Sequence, residues 1–494
     1  MQEIKTLGAL KESGYKPRSV KDEIRGNLIH KLQNKEEIFP GIIGYEHSVI
    51  PDMINAILSR HDFILLGLRG QAKSRMLRML PMLLDELIPA VKGSEVNDDP
   101  YNPISKYAVD LIAEYGDETE IEWVERSQRY GEKLATPDVT IADLIGDVDP
   151  IKAAVHRLHY SHEGVIHFGI IPRTNRGIFA INELPDLQPR IQVGLFNLME
   201  EKDIQIRGFP VRIPMDIFMV YSANPEDYTN RGNIITPLKD RIGSQILTHY
   251  PKEVEIGMQI TRQEAWLKRD EREVHVLSLM NEIVEQTAIE ARQSEFVDQK
   301  SGVSARMTIS LLENIISNAE RRAWLRNEET IIPRICDAFA ALSAITGKIE
   351  LVYEGEQEGV VKVAQGLLGK AIKKVFLDYF PDPYKAMKKG DSPFAKTVGY
   401  FKADRKIDIS DTMGQKDYIA ALNQTPGLDR LTKDYLAPVF EITPELQPVA
   451  MEFVLEGLHQ NSLLSKDEVE NVRVYGDMIQ QMFSRMQDDD DEYV

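Results

Sequence analysis

One stretch of the sequence has residue types and spacing that suit phosphate binding. The apolar run Phe63–Leu66 leads into a glycine-containing turn that ends in Lys73 and Ser74, and a segment with helical periodicity follows. Strand, glycine turn and helix in this order are the setting of a P-loop, in which backbone N–H groups face nucleotide phosphates. There the lysine contacts the β- and γ-phosphates and the serine hydroxyl holds Mg²⁺. The residues predicted to bind nucleotide are Gly67, Gly70, Gln71, Ala72, Lys73, Ser74 and Arg75.

The stretch departs at one position from the pattern G-x-x-x-x-G-K-[ST]. Ala72 stands where the glycine before the lysine is expected. Alanine carries a Cβ, so it is tolerated there only if its φ is negative or if the strain of a positive φ is offset. A glycine-containing turn that binds nothing is the alternative interpretation of this stretch taken alone.

Two further apolar runs end in residues that suit the same site. The first ends in Asn182 and Glu183, and Asn224 follows the second. In P-loop nucleotidases one carboxylate holds Mg²⁺ and another acid polarises the attacking water. Glu183 suits the second role, whereas the Mg²⁺ position holds the neutral Asn182, so we expect weaker metal binding. Asn224 is placed to orient a water or to contact a γ-phosphate, although Asn-Pro alone also starts turns.

The order of elements predicts an α/β fold with a parallel sheet and ligands at the carboxyl ends of its strands. Within it, residues 92–133 are interpreted as an insertion. After residue 253 the pattern is helical: one long helix is predicted at 264–291, and residues 444–486 return to helix. The predicted segments are a helical arm (1–35), a nucleotide-binding domain (36–250), a helical lid (251–345), a mostly helical extension (346–487) and an acidic tail (488–494).

Composition narrows the class of protein. The chain has 494 residues, a formal net charge of −19 and 43% hydrophobic residues. The negative charge argues against a general nucleic-acid or anionic-membrane binder, because phosphate contacts need clustered Lys and Arg. No uncharged apolar run is long enough to span a bilayer, and the N-terminal residues lack the apolar core of a signal peptide. The single cysteine, Cys336, is predicted to lie in the core and fits a reducing cytoplasm.

Four of the ten histidines lie within a short segment: His156, His159, His162 and His167. Three-residue spacing brings neighbours near one face of a helix, and histidine is a common metal ligand. However, no cysteine lies nearby and no H-E-x-x-H pattern is present, while a closed metal site needs about four ligands. A partly exposed polar hairpin is therefore the preferred interpretation.

Three more motifs accompany the P-loop in a fixed order. They are Leu-Ile-Gly-Asp-Val-Asp at 144–149, Gly-Leu-Phe-Asn-Leu-Met-Glu-Glu at 194–201 and Ile-Arg-Gly-Phe-Pro-Val-Arg-Ile-Pro at 206–214. Together with the P-loop they resemble AAA+ ATPases, and within them the MoxR and magnesium-chelatase ATPase-subunit group. The resemblance covers about residues 36–345. It implies an AAA+ P-loop αβα core, an all-α lid and ATP or ADP with Mg²⁺ as ligands.

The resemblance also implies roles for single residues. Lys73 and Ser74 correspond to Walker A, Glu183 to the Walker B catalytic acid and Asn224 to sensor 1. Ser74 and Asn182 fall at the metal position. Arg241 corresponds to an arginine finger offered to the neighbouring subunit, and Arg306 to sensor 2. Ile43 and Gly44 fall in the turn that contacts the nucleotide in this group.

The same resemblance implies partners and an activity. The group forms hexameric rings that work with a partner carrying a von Willebrand A domain. The leading prediction is a ring-forming ATPase that remodels or activates such a partner. A nucleotide-binding scaffold with slow hydrolysis is the first alternative, because of Ala72 and Asn182. An ATPase subunit of a true metal chelatase is another. A transcription activator ranks low, because the sequence lacks a Gly-Ala-Phe-Thr-Gly-Ala-like loop.

Overall fold

The fold is taken from a computed structural model that describes residues 4–156, 163–206, 212–224, 233–269, 272–388, 390, 392–469 and 472–478. The chain divides into two compact units, Met1–His249 and Tyr250–Val494. The finer division into five segments stays a prediction. No helix among the described residues is both long enough and apolar enough to cross a bilayer.

The first unit alternates strands and helices. Its helices are α1 (Leu7–Glu12), α2 (Val20–Gln33), α3 (Val49–Leu58), α4 (Lys73–Met79), α5 (Lys106–Tyr115), α6 (Ile141–Leu144), α7 (Pro150–His156), α8 (Ile170–Arg173), α9 (Pro189–Gly194), α10 (Phe196–Glu200) and α11 (Thr236–Arg241). Its strands are β1 (Phe63–Leu66), β2 (Leu87–Val91), β3 (Ile121–Glu125), β4 (Tyr130–Leu134), β5 (Gly146–Val148), β6 (Ile166–Phe168), β7 (Gly177–Asn182), β8 (Asp203–Gln205), β9 (Arg212–Pro214), β10 (Ile217–Ala223) and β11 (Ser244–Leu247).

Five of these strands form a parallel sheet in the order β11-β1-β10-β7-β4. Their carboxyl ends therefore lie along one edge, where a parallel sheet binds ligands. The pairs β2–β3, β5–β6 and β8–β9 are separate antiparallel ribbons. Helices accompany the parallel strands, as the predicted α/β class requires, so the fold class is confirmed.

Alternating side chains of the sheet enter two different apolar clusters. Phe179 and Ile181 belong to one cluster, whereas Ile178 and Ala180 belong to the other, together with Met76 of α4. This alternation follows from the two-residue period of a strand. It also means that even-numbered residues at the end of β7 face the side of the sheet on which α4 packs.

The edge strand β4 begins within residues 92–133, which the sequence predicts to be an insertion, so the structure corrects that prediction. The strand is Tyr-Gly-Glu-Lys-Leu, and none of its residues is fully buried, so its apolar signal is weak. A buried ion pair fixes it in place. Arg129, just before the strand, contacts Glu23 of α2 at 2.6 Å and donates through Nε to the Arg176 carbonyl at 2.9 Å. Since Arg176 directly precedes β7, this contact also sets β4 against β7.

The second unit is mostly helical. Its helices are α12 (Val254–Glu264), α13 (Ser278–Gln293), α14 (Arg306–Arg326), α15 (Ile335–Ala340), α16 (Ser343–Thr346), α17 (Tyr353–Glu358), α18 (Val360–Tyr379), α19 (Pro383–Lys388), α20 (Ala395–Lys402), α21 (Gln415–Asn423), α22 (Leu428–Leu431) and α23 (Gln447–Gln460). Its strands are β12 (Glu273–Val274), β13 (Thr330–Ile331), β14 (Ile407–Ser410), β15 (Ser465–Val469) and β16 (Val472–Gly476).

A single apolar core runs through the second unit, and α23 is buried along most of its length. Two fully buried acids on α23 accept hydrogen bonds inside this core. Glu452 accepts from the backbone N–H groups of Ile335 and Cys336, each at 2.9 Å. Glu456 accepts from Lys466 Nζ at 2.7 Å. Cys336 is buried as predicted, and burial raises the pKa of its thiol.

Two helix predictions were wrong in the second unit. The helix predicted at 264–291 is instead α12 and α13, separated by a segment that contains β12. The helix predicted at 444–486 ends at residue 460, and β15 and β16 follow. Ser462 has a φ of 60°, so the chain turns there and cannot continue the helix.

Candidate nucleotide-binding site

The P-loop leaves the carboxyl end of β1 and is held from the neighbouring strand β11. Thr248, just after β11, donates through its hydroxyl to Gln71 Oε1 at 2.6 Å and through its backbone N–H to the Leu66 carbonyl at 2.7 Å. A Cβ on Gly67 would collide with Thr248 Oγ1 and Gln71 Oε1. Glycine is therefore required at position 67 for these elements to approach so closely.

Ala72 adopts the left-handed conformation, with φ of 58° and ψ of 14°. The sequence pattern expects glycine there because glycine reaches this region without a steric penalty. A left-handed residue thus lies at the position where the pattern has glycine, although the residue is alanine. Ala72 is exposed, so its methyl group meets no packing obstacle and the strain lies in its own dihedral angles.

Lys73 is buried and its ammonium group lies over the loop. It donates to the carbonyl oxygens of Gly67 and Leu68, the latter at 2.9 Å, and to Asn224 Oδ1 at 2.7 Å. The lysine predicted to contact phosphates therefore lies at the carboxyl ends of both β1 and β10. The Lys73 ammonium group therefore contacts both the P-loop and Asn224, the residue that follows β10.

Asn224 connects that lysine to the predicted catalytic acid. Its Nδ2 donates to Glu183 Oε2 at 2.9 Å, while its Oδ1 accepts from Lys73. Glu183 directly follows β7 and has a φ of 53°, so a second non-glycine residue of the site adopts a left-handed conformation. Strained residues of this kind occur at functional sites when the surrounding structure fixes them.

Asn182, the last residue of β7, lies beside the helix that follows the P-loop. Its Oδ1 accepts from Ser74 Oγ at 3.4 Å and from Ser222 Oγ of β10 at 2.9 Å. The two residues predicted to hold Mg²⁺ are thus brought together. Ser222 was missed in the sequence, although its place near the end of a buried strand, two residues before Asn224, could have indicated it.

Glu132 of β4 is a second residue that the sequence did not indicate. Asn182 Nδ2 donates to Glu132 Oε1 at 2.5 Å. Arg78 of α4 donates to both oxygens of Glu132, through Nε at 2.8 Å and Nη2 at 2.9 Å. The hydrogen bond from Arg78 lowers the pKa of Glu132 against the opposing effect of partial burial, so its carboxylate is ionised at neutral pH.

The turn that contains Ile43 and Gly44 contacts the P-loop through the residue that follows it, Tyr45. Gly44 has a φ of 85° and its N–H donates to Glu46 Oε1 at 3.1 Å. The next residue, Tyr45, is buried, and its hydroxyl donates to the Gln71 carbonyl at 3.1 Å. This contact holds the turn against the loop. Contact of Ile43 and Gly44 with a nucleotide stays a prediction.

The two arginines with roles implied by the resemblance lie in different units. Arg241, at the end of α11, forms an ion pair with Glu200 at 2.6 Å and lies over the Phe196 ring at 4.6 Å. Arg306 is exposed at the start of α14 in the second unit, where its N–H donates to Ser304 Oγ. Their roles as arginine finger and sensor 2 stay predictions.

The oxygen donors of the site fit Mg²⁺. Ser74, Asn182 and the carboxylates of Glu132 and Glu183 are oxygen ligands, which Mg²⁺ prefers, and it is commonly held by one or two carboxylates together with phosphates and waters. Among the described residues, no group of three or more His, Cys, Asp or Glu side chains is placed to hold a metal. The predicted hairpin includes β5 and β6, but two of its histidines, His159 and His162, lie outside the described residues.

No protein-family model matches the sequence, and no curated protein matches it. Solved structures do match. One contains subunits BchI and BchD of magnesium chelatase, with 20% identity over 65% of this chain and 98% of that chain and a TM-score of 0.34. NtrX from Brucella abortus in complex with ATP matches with 12% identity over 78% of this chain and 70% of that chain, with a TM-score of 0.37.

The complex of the same NtrX with ADP matches with 12% identity over 74% of this chain and 73% of that chain, with a TM-score of 0.30. A similarity at these identities concerns the fold.

Proposed function

We propose that this protein is an AAA+ ATPase that binds ATP with Mg²⁺ at the carboxyl edge of the parallel sheet and hydrolyses it. The observation that carries the proposal is a chain of two hydrogen bonds, from Lys73 Nζ to the Asn224 amide and from that amide to the Glu183 carboxylate. A phosphate-binding cation, a polar amide and an acid lie side by side at the ends of three different strands. Phosphoryl transfer depends on such positioning and electrostatic stabilisation.

Each residue has a separate task in this proposal. Lys73 binds the β- and γ-phosphates, and Glu183 polarises the attacking water. Asn224 positions Glu183 and the γ-phosphate relative to each other. Ser74 and Asn182 would hold Mg²⁺, which neutralises charge on the phosphates when bound. The sheet topology supports this assignment, because the loop follows β1 and Glu183 follows β7, two parallel strands whose carboxyl ends lie at the same edge.

We further propose that the protein acts as a ring of six identical subunits. Arg241 of one subunit would reach the γ-phosphate held by the next, and Arg306 would approach nucleotide from the helical unit. Arg241 is 27% exposed and paired with Glu200 of its own chain, so contact with a neighbouring subunit would require the guanidinium to leave Glu200. Nucleotide-driven change in the ring would remodel or activate a partner protein with a von Willebrand A domain.

A nucleotide-binding scaffold with little turnover is the second candidate. The observation that favours it is Asn182, which places a neutral amide where a metal-binding carboxylate is expected. Steady-state ATP binding and hydrolysis by the purified chain, with Lys73→Ala and Glu183→Gln variants, separates the two. A scaffold would bind ATP in a way that requires Lys73, but it would show no ATP turnover that requires Glu183.

A further inference from the structure

The Mg²⁺ position contains a neutral residue, but a carboxylate lies directly beside it on the next strand. Glu132 and Asn182 occupy neighbouring parallel strands, with Glu132 in register with Ala180 and Leu134 in register with Asn182. Side chains two residues apart on a strand share one face. Glu132 and Asn182 therefore point to the same side of the sheet, the side on which α4 packs.

A series of hydrogen bonds connects α4, β7 and β4 around the predicted Mg²⁺ position. Ser74 Oγ donates to Asn182 Oδ1, and Asn182 Nδ2 donates to Glu132 Oε1. Arg78 donates to both oxygens of Glu132 and lies four residues after Ser74, on the same face of α4. The Asn182 amide is oriented by these partners, because the reverse orientation would place its oxygen against the carboxylate.

We propose that Glu132 supplies the negative charge that Asn182 lacks at the Mg²⁺ position. The acid lies on the adjacent strand β4 and not at the end of β7, and the amide of Asn182 connects it to Ser74. The inference rests on the proposed nucleotide site. It adds a residue of the metal environment that lies outside the P-loop and Walker B motifs.

The location of Glu132 suits this role. Its side chain is 21% exposed, so water and a hydrated ion can approach it, while Asn182 is 6% exposed. The buried pair of Arg129 and Glu23 holds the start of β4. An aspartate at position 182 would face Glu132 oxygen to oxygen at close range, and two adjacent carboxylates repel each other. Asparagine at 182 is thus the residue that is compatible with a carboxylate at 132.

The experiment measures the dissociation constant of fluorescently labelled ADP for the full-length chain, in Mg²⁺ and again in EDTA. The ratio of the two constants is the Mg²⁺ enhancement. For Glu132→Gln we expect the enhancement to fall about 10-fold or more, the effect typical of lost outer-shell partners. Binding in EDTA should stay within about twofold of wild type, because Lys73 and the loop are unchanged.

Two further variants separate a charge role from a structural one. Arg78→Gln breaks the same ion pair but keeps the carboxylate, so the enhancement should stay equal or rise. In the double variant Glu132→Gln with Asn182→Asp, the charge returns to position 182 and the enhancement should return towards wild type. Glu86→Gln, an exposed carboxylate of the same unit, is the matched control and should change neither constant.

Three results would overturn the inference: an unchanged enhancement in Glu132→Gln, an equal loss in Arg78→Gln, or no recovery in the double variant. Failure of the proposed function gives a different result. In that case wild type does not bind ADP under either condition, or Lys73→Ala binds it as tightly as wild type.

Discussion

The Asn182 amide donates to the Glu132 carboxylate at 2.5 Å, across neighbouring strands of the parallel sheet. The contact connects the predicted metal position to an acid on a strand that the sequence did not reveal. It also makes the identity of residue 182 depend on residue 132, because the amide N–H satisfies a carboxylate oxygen that an aspartate would repel.

This dependence predicts a non-additive effect on stability without metal. Asn182→Asp should lower the free energy of unfolding in EDTA by about 1–3 kcal/mol, since it removes a donor from a charged acceptor and adds a like charge. Glu132→Gln in the same chain should recover most of that loss, because a glutamine amide can donate to the new carboxylate. Urea unfolding of both single variants and the double variant in EDTA measures the coupling. If the loss of unfolding free energy in the double variant equals the sum of the losses in the two single variants, residues 132 and 182 are not coupled through this hydrogen bond.

We expect the substitution of alanine by glycine to have opposite effects on stability at position 72 and at position 113. Ala72→Gly relieves a left-handed alanine, so stability should stay equal or rise by up to about 1 kcal/mol, and ADP affinity should not fall. Ala113→Gly, at an exposed position in α5, should lower stability by about 1 kcal/mol, because glycine disfavours a helix. Thermal unfolding of the two variants compares them. A loss of stability in Ala72→Gly similar to that in Ala113→Gly would show that the loop does not need a positive φ.

How far the sequence predicts the fold depends on how deeply each strand is buried. Strand β1 lies at its predicted place, since Phe63–Leu66 is an uninterrupted apolar run. β7 and β10 were also recognisable, because all of their residues are buried. β4 was not, because it is a half-exposed edge strand whose glutamate and lysine resemble a surface loop. Glu132 was missed for the same reason.

The residues of the candidate site that belong to motifs can be predicted from the sequence. The contacts between residues that lie far apart in the chain are harder to predict. Lys73, Ser74, Asn182, Glu183 and Asn224 follow from motifs and from the ends of apolar runs, and the structure brings them together. The contacts of Gln71 with Thr248 join residues 177 positions apart, which local patterns do not reveal. The strands after α23 were missed because the apolar residues of that region also suit a helix.

Arg241 predicts complementation between two inactive variants. Arg241→Ala should bind ATP as wild type does, but should lose the hydrolysis that depends on assembly, because an arginine acting in trans is worth about 10³–10⁵ in turnover. Glu183→Gln should be inactive with its arginine intact. Mixed rings contain interfaces with one intact Glu183 and one intact Arg241, so turnover should reappear on mixing. If hydrolysis never recovers at any ratio, Arg241 does not act in the neighbouring site.

The buried acid Glu456 predicts a pH-dependent stability of the second unit. Burial alone would raise its pKa, but Lys466 at 2.7 Å lowers it to about 2. The folded state therefore binds this proton more weakly than the unfolded state does. The contribution is complete above the ordinary pKa of glutamate, about 4.5, and is lost as the pH falls towards 2.

Glu456→Gln should consequently lower the free energy of unfolding by about 3–5 kcal/mol at pH 7, because Lys466 is left without its carboxylate. The difference from wild type should narrow as the pH falls below 4.5. Glu445→Gln, at a half-exposed residue just before α23, should have little effect across this range. A difference between wild type and Glu456→Gln that is constant with pH would contradict an ionised, paired Glu456.

We propose above all that the carboxyl edge of the sheet is an ATPase site. The most direct test is steady-state ATP turnover of the pure protein across a series of protein concentrations, with Glu183→Gln and Lys73→Ala measured beside it. We predict specific turnover that rises with concentration as subunits assemble, that is lost in Glu183→Gln while ATP still binds, and that is lost in Lys73→Ala together with binding. Turnover that is unchanged in both variants, or ATP binding that does not require Lys73, would contradict the account.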